Sequence, residues 1–307
     1  MNEPMYRYMD VGLIHFMAYP STIRGEGPIL ETVRAIAEDD YFTLIEITWI
    51  KDDEVRKQVK DLLNTAAVKI AYGAQPALLT QKLNLNSEDE AERRKAVDQV
   101  KACIDEAYFM GARGCALLAG KDPGEAGRDT AKKLLVQSLK ELCDYSRSKG
   151  SMPIILETFD REQYGKNAVA GPTAESAAIS EAVRADWPSF GLMLDLSHLP
   201  MLKESAREAL TLAKDHLVHV HIGNCVIRDP SHPAYGDEHP RFGIPGGENG
   251  VEELAEFLSV LFDVGYLSTQ GPKPVSFEVK PIAAMNESSE TVIANAKRTL
   301  NKAWALV

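Results

Sequence analysis

The sequence predicts a closed (β/α)₈ barrel, the TIM-barrel architecture, on three observations. Eight short apolar runs recur along the chain, segments of helical period separate them, and no glycine-rich phosphate turn comes after the first run. A doubly wound open sheet usually has fewer strands and often carries such a turn. After residues 11–16 this chain instead reads Met17-Ala18-Tyr19-Pro20.

The first run, 11–16, is apolar without alternation, as expected of a parallel strand buried on both faces, and helix-forming residues 29–37 come next. Run 42–49 leads into an amphipathic segment at 53–66, and run 68–72 into a longer one at 88–110, opened by Asn86 to Glu88 and stopped by Gly111. Run 114–119 precedes 127–149. Run 154–159 precedes 173–185, where Pro172 marks the helix start. Run 190–196 precedes 204–214, and run 217–222 gives way to the longest loop, 223–250, before a helix at 251–264 that Gly265 ends. Run 275–279 and a last helix at 289–307 complete the series. Strict alternation implies right-handed βαβ crossovers and a parallel sheet, and eight such units close into a barrel.

The length of 307 residues suits one barrel domain with insertions, 1–307, and the 45% hydrophobic and 26% charged content suits a large core. A net charge of -11 argues against a nucleic-acid partner, which would need clustered Lys and Arg. Residues 1–10 lack an apolar signal core and no window is long and apolar enough for a membrane span, so no membrane partner and a cytoplasmic location are expected. Cys103, Cys115, Cys143 and Cys225 form no CxxC pair and are expected to be reduced and buried. The 223–250 loop would lie on the catalytic face, as a lid or as the contact of a homo-oligomer.

Four runs in the second half end in residues that can ligate a metal: Glu157, Asp195, His221 and Glu278. If each run is a parallel strand, hard oxygen ligands and one imidazole converge at one rim on a divalent cation. Carboxylates converging without one would repel each other. In Val218-His219-Val220-His221 the two histidines share a strand face; His221, nearer the rim, is assigned to the metal and His219 to an underlying or packing role. His198, three residues past Asp195, is a second ligand, a substrate contact or a structural histidine. Lys280 shares a face with Glu278 and would favour an anionic or carbonyl-bearing substrate, unless it only pairs with a loop acid. Glu46 and Trp49 could add a carboxylate and an apolar wall near the substrate, with a buried salt bridge and core packing as the alternatives. His15 and Gln75 are weaker candidates of the same kind.

The order Glu157, Asp195 with His198 three later, His221 in an HxH strand, then Glu278, spread over alternating strands and helices, resembles the xylose isomerase-like TIM-barrel superfamily. Within it the pattern is most similar to the sugar isomerase/epimerase group that includes ketose 3-epimerases. The resemblance implies a single Mn²⁺ or Mg²⁺, with Zn²⁺ or Co²⁺ ranking behind, held by Glu157, Asp195, His221 and Glu278. It also implies that His198 and Arg241, which precedes Pro245-Gly246-Gly247, touch substrate oxygens. The expected reaction is isomerisation or epimerisation of a ketose or sugar acid through an enediolate, with Glu157 and Glu278 as acid and base. Three other readings stay open. A metal-dependent decarboxylase or lyase of an oxo sugar acid would use Lys280, Lys121 and Arg241 to hold a carboxylate. An endonuclease branch has a DxH and a glycine-rich loop similar to Asp237-Glu238-His239 with Gly243, Gly246 and Gly250, but needs histidines on earlier strands, where only His15 stands. The third is a barrel that merely binds a sugar or protein.

Overall fold

The computed structural model describes residues 1, 3–161 and 164–307. Eight parallel strands close a barrel in sequence order: β1 (Met9–Ile14), β2 (Leu44–Ile47), β3 (Lys69–Gly73), β4 (Cys115–Leu118), β5 (Ile154–Glu157), β6 (Gly191–Asp195), β7 (Leu217–Gly223) and β8 (Lys273–Glu278). Pairing of Val11 with Val275 and Leu13 with Phe277 joins the first strand to the last. Every residue of β1, β2, β4, β5 and β6 is buried, which is why these runs read as continuously apolar.

The helices among the described residues are α1 (His15–Ala18), α2 (Ile29–Ala37), α3 (Asp53–Thr65), α4 (Gln75–Thr80), α5 (Glu90–Met110), α6 (Glu125–Lys149), α7 (Thr173–Arg184), α8 (His198–Leu202), α9 (Ala206–Ala213), α10 (Val251–Asp263) and α11 (Ser289–Trp304). Local chemistry sets several ends. Asp89, not the Asn86 to Glu88 stretch, caps α5, accepting from the Ala91 and Glu92 N–H groups at 2.8 and 3.3 Å. Gly111 ends it in the left-handed region at φ 78. Ser205 and Glu208 form a capping box on α9.

Two departures from expectation matter for the site. β1 stops at Ile14, and His15 and Phe16 turn away as α1 instead of continuing the strand. The short helices α4 and α8 directly succeed β3 and β6. Neither is long enough to display a hydrophobic period.

The main apolar core lies between strands and helices and includes Leu13, Ile45, Leu117, Leu156, Leu194 and Phe277. Ala116, Ile155 and Met193 form a separate apolar cluster. Elsewhere on the strands the buried groups are polar: His219 Nε2 lies 2.7 Å from Glu46 Oε1 and 3.4 Å from Ser276 Oγ. At the N-terminal ends, Asp10 pairs with Lys69 and with Arg113 at 3.3 Å. No helix of the described residues is long and apolar enough to cross a membrane. All four cysteines are buried and free.

Candidate active site and metal centre

Glu157, Asp195 and Glu278 are the last residues of β5, β6 and β8, and His221 stands two residues before the end of β7. The shared C-terminal rim therefore brings them together: one ligand atom from each lies within 4.8 Å of those of the others, and all four residues are buried. A glycine permits the approach of β7 to β8, because a Cβ on Gly223 would fall 2.7 Å from the Glu278 carbonyl oxygen.

His221 sits at the centre of the charge distribution. Its Nδ1 lies 2.8 Å from Glu278 Oε2 and 3.4 Å from Glu157 Oε1, and its Nε2 lies 3.1 and 3.2 Å from the two Glu46 oxygens. Burial alone would lower the His221 pKa, but the Glu46 charge, the nearby Glu157 carboxylate and the hydrogen bonds to Glu278 and Glu46 hold it well above the usual imidazole range. Burial would likewise raise Glu46 and Glu278, yet His219 and His221 hold Glu46 far below its ordinary value, and His239 and His221 lower Glu278. Asp195 moves the other way, pushed up by burial and by the Glu278 charge, although Ser197 donates to both its oxygens, N–H at 2.8 Å and Oγ–H at 2.6 Å.

These residues fit a divalent cation. Three carboxylates and an imidazole converge without a thiolate, a donor set that suits a divalent cation with oxygen and nitrogen ligands. Glu157 supplies a sharper observation. Gln75 Nε2 donates to its Oε2 at 2.8 Å, while Oε1 is buried and accepts no hydrogen bond. A cation would satisfy that oxygen.

A second polar group adjoins the first. Asp237 Oδ1 receives His239 Nε2 at 2.8 Å and His198 Nε2 at 3.1 Å, and its Oδ2 receives Lys166 Nζ at 2.5 Å. His198 Nδ1 donates to the Thr158 carbonyl at 2.7 Å, which fixes the ring. Burial would lower the His198 pKa, but Asp237 and Asp195 push it up to about 10. Burial would raise Asp237, and Lys166, His239 and His198 hold it well below the carboxylate range. Asp195, His198 and His239 again offer ligand atoms within 4.8 Å of one another. The 223–250 loop is tied down over this group, since Lys280 N–H donates to the His239 carbonyl at 2.8 Å.

Above the four ligands opens a cavity of about 270 Å³, with Glu46, Gln75, Glu157, Lys166, His221, Asp237, Glu238, His239, Glu278 and Lys280 as its polar lining and Ile14, Phe16, Leu79 and Phe159 among its apolar walls. The barrel, the strand-end ligand order and this cavity all point the same way, and residues 33–299 match the family described as Xylose isomerase-like TIM barrel. The chain belongs to that family.

No curated protein matches the chain. Among solved structures it is similar to a D-psicose 3-epimerase from Clostridium cellulolyticum H10 crystallised with D-tagatose, at 17% identity and TM-score 0.69 over 97% of this chain and 99% of the other. It is also similar to an IolI protein with a bound zinc atom, at 18% identity and TM-score 0.73 over 96% and 98%. A third relative is an AP endonuclease, family 2, from Brucella melitensis, at 18% and 0.64 over 93% and 97%. At these identities the family shares the fold, and chemistry must be argued from the site.

The predicted site residues fall into two sets. Glu157, Asp195, His221 and Glu278 come together, and Glu46 and Lys280 border the cavity. His198 is buried against Asp237, its Nε2 3.1 Å from Oδ1, and is not among the residues that line the cavity. Arg241 points elsewhere: its Nε donates to Glu287 Oε1 at 2.9 Å, outside the cavity. Trp49 stands behind the wall, its indole N–H donating to the Ile23 carbonyl at 3.1 Å while Ile23 faces the cavity. Lys280 lines the cavity but also pairs with Glu238, a loop acid, as its alternative reading expects. Asp237 and His239, which the sequence offers only as the DxH of the endonuclease alternative, join the site, and so does Lys166, for which the sequence gives no role. The DxH spacing is the available signal for the first two. Lys166, in an irregular loop, gives none.

Proposed function

We propose that this protein is a metal-dependent isomerase or epimerase of a ketose or sugar acid, working by proton transfer next to a carbonyl. The observation that carries the proposal is the placement of Glu157 and Glu278 on different strands at one cavity, each a neighbour of Asp195 and His221 in a single four-residue ligand group. Glu157, Asp195, His221 and Glu278 would hold the cation, which when bound acidifies the C–H beside the carbonyl and stabilises the enediolate that results.

The chain's own residues do the rest. Gln75 donates to Glu157 Oε2 at 2.8 Å and holds this carboxylate at the cavity, where it would serve as the base. Glu278 Oε2 faces His221 and its Oε1 lies 3.4 Å from His239 Nε2, so this carboxylate can exchange a proton with an adjacent imidazole. Removal by one carboxylate and return by the other inverts a carbon; return to the neighbouring carbon isomerises it. Ile14, Phe16, Leu79 and Phe159 limit water at the reacting carbon.

The acidic balance, 45 Asp and Glu against 34 Lys and Arg, supports a small-molecule substrate over DNA. The test is hydrogen exchange. Protein loaded with Mn²⁺ and incubated with a panel of ketoses in D₂O should place deuterium on a carbon next to the carbonyl of at least one, read by NMR. E157Q and E278Q should each abolish turnover while retaining weaker metal binding. Near-wild-type turnover in either variant would refute the assignment, and release of CO₂ from an oxo sugar acid would favour the lyase instead.

A further inference from the structure

A second cavity, of about 460 Å³, adjoins the first, sharing Leu79 and Lys166 with it. It opens beside α4 and the end of β4, on the same C-terminal face as the metal-ligand group. Its charged lining is Lys82, Lys121 and Lys166 against the single acid Glu92. That excess is unusual in a chain of net charge -11.

The lysines divide by partner. Lys166 reaches Asp237 in the first cavity, and Glu92 accepts from Ser87 Oγ at 3.0 Å. Among the described residues neither Lys82 nor Lys121 has a carboxylate within 4.0 Å, whereas Lys280 in the first cavity is paired with Glu238. Both ammonium groups are therefore open to an anion from solvent.

The local backbone is built to present them. Lys82 adopts φ 55, in the left-handed region that non-glycine residues seldom enter. Gly120, which lines the cavity, cannot be replaced by a larger residue without displacing Asn84 and Asn86, because a Cβ there would fall 1.7 Å from Asn84 Oδ1 and 2.7 Å from Asn86 Oδ1. Asn86 Nδ2 in turn donates to the Lys121 carbonyl at 3.0 Å, and Lys121 bridges to Ala168 in the loop that carries Lys166. Lys121 and Lys166 are thus held on one hydrogen-bonded rim.

We infer that the substrate carries an anionic group, phosphate or carboxylate, remote from its carbonyl, and that Lys82, Lys121 and Lys166 receive it in this second cavity. The inference takes from the proposed function only the position of the reacting carbons. Ammonium groups bind such oxygens through charge-assisted hydrogen bonds. A neutral sugar of the same length would leave the cavity filled with water.

The test uses acyclic six-carbon probes with no ketone, so that binding is read without turnover. Sorbitol, sorbitol 6-phosphate and gluconate are titrated calorimetrically into the full-length protein, with and without Mn²⁺, and into the K82A/K121A double variant. Both substitutions fall on exposed side chains outside the catalytic group. Sorbitol 6-phosphate or gluconate should bind at least about tenfold more tightly than sorbitol, and the double variant should lose that preference while its sorbitol binding stays the same. Which of the two anions is preferred names the phosphate or the carboxylate. Equal binding of all three probes, or a preference that survives the double substitution, overturns the inference. Failure of the deuterium-exchange assay would leave this result untouched, so the two claims fail separately.

Discussion

Replacing Glu46 by Gln probes the arrangement beneath the four candidate metal ligands. Glu46 makes contacts of 2.7, 3.1 and 3.2 Å with His219 Nε2 and His221 Nε2, and it is ionised, so both rings must donate to it. With Nε2–H committed to Glu46, the Nδ1 of His221 is the nitrogen left for a cation, and it already faces Glu157 and Glu278. Gln keeps the volume, so no cavity opens, and its Oε1 can still accept from both rings. What disappears is the charge that raises the basicity of His221. Loss of such a supporting carboxylate costs about 10–100-fold in metal affinity, or about 1.4–2.7 kcal/mol. The assay is calorimetric titration of Mn²⁺ near neutral pH, with thermal unfolding to show that the variant is folded. A folded E46Q protein that binds Mn²⁺ within about twofold of the wild type would refute the reasoning.

Two further outcomes rest on the same electrostatics. Because the carboxylates hold a proton on His221, loading the metal should release about one proton near pH 7, seen as a dependence of the binding enthalpy on buffer ionisation heat; no dependence would contradict the assignment. His15 is a separate pH sensor of stability. Burial pushes its pKa down from 6.5 to about 3, with Thr32 Oγ1 2.7 Å from Nε2. The unfolded chain therefore takes up the proton first, and stability should fall as the pH drops from about 6.5 toward 3, by up to about 1.4 kcal/mol per pH unit. Urea midpoints between neutral and mildly acidic pH should decline less in H15Q than in the wild type. Parallel declines would show that His15 is not responsible.

The barrel is legible in the sequence because its strands are buried on both faces. Val11-Gly12-Leu13-Ile14 and Leu192-Met193-Leu194 show no alternation to confuse them with exposed strands, and helical segments of regular period lie between. The four candidate ligands are legible for the same reason: an acid or imidazole at the end of an apolar run must reach the rim. Legibility ends where regularity does. His15 and Phe16 are as apolar in context as the strand before them, but α1 needs only four residues and leaves no period. Asp237 and His239 belong to a loop whose path is fixed by distant contacts, such as the Lys280 N–H on the His239 carbonyl, and no local pattern encodes these. Lys166 enters the site through its pairing with Asp237, 71 residues away. Arg241 shows the converse: a motif-like Arg before a Pro-Gly turn pairs with Glu287, a partner that no spacing rule names.

One divalent cation bridging the strand ends where Glu157, Asp195, His221 and Glu278 meet is the central claim. Crystals grown with Mn²⁺ and measured at a wavelength where manganese scatters anomalously test it most directly. One strong peak is expected about 2.0–2.3 Å from His221 Nδ1 and from an oxygen of each carboxylate, including Glu157 Oε1. A protein saturated with Mn²⁺ that shows no peak there, or a peak only between His198, Asp237 and His239, would contradict it.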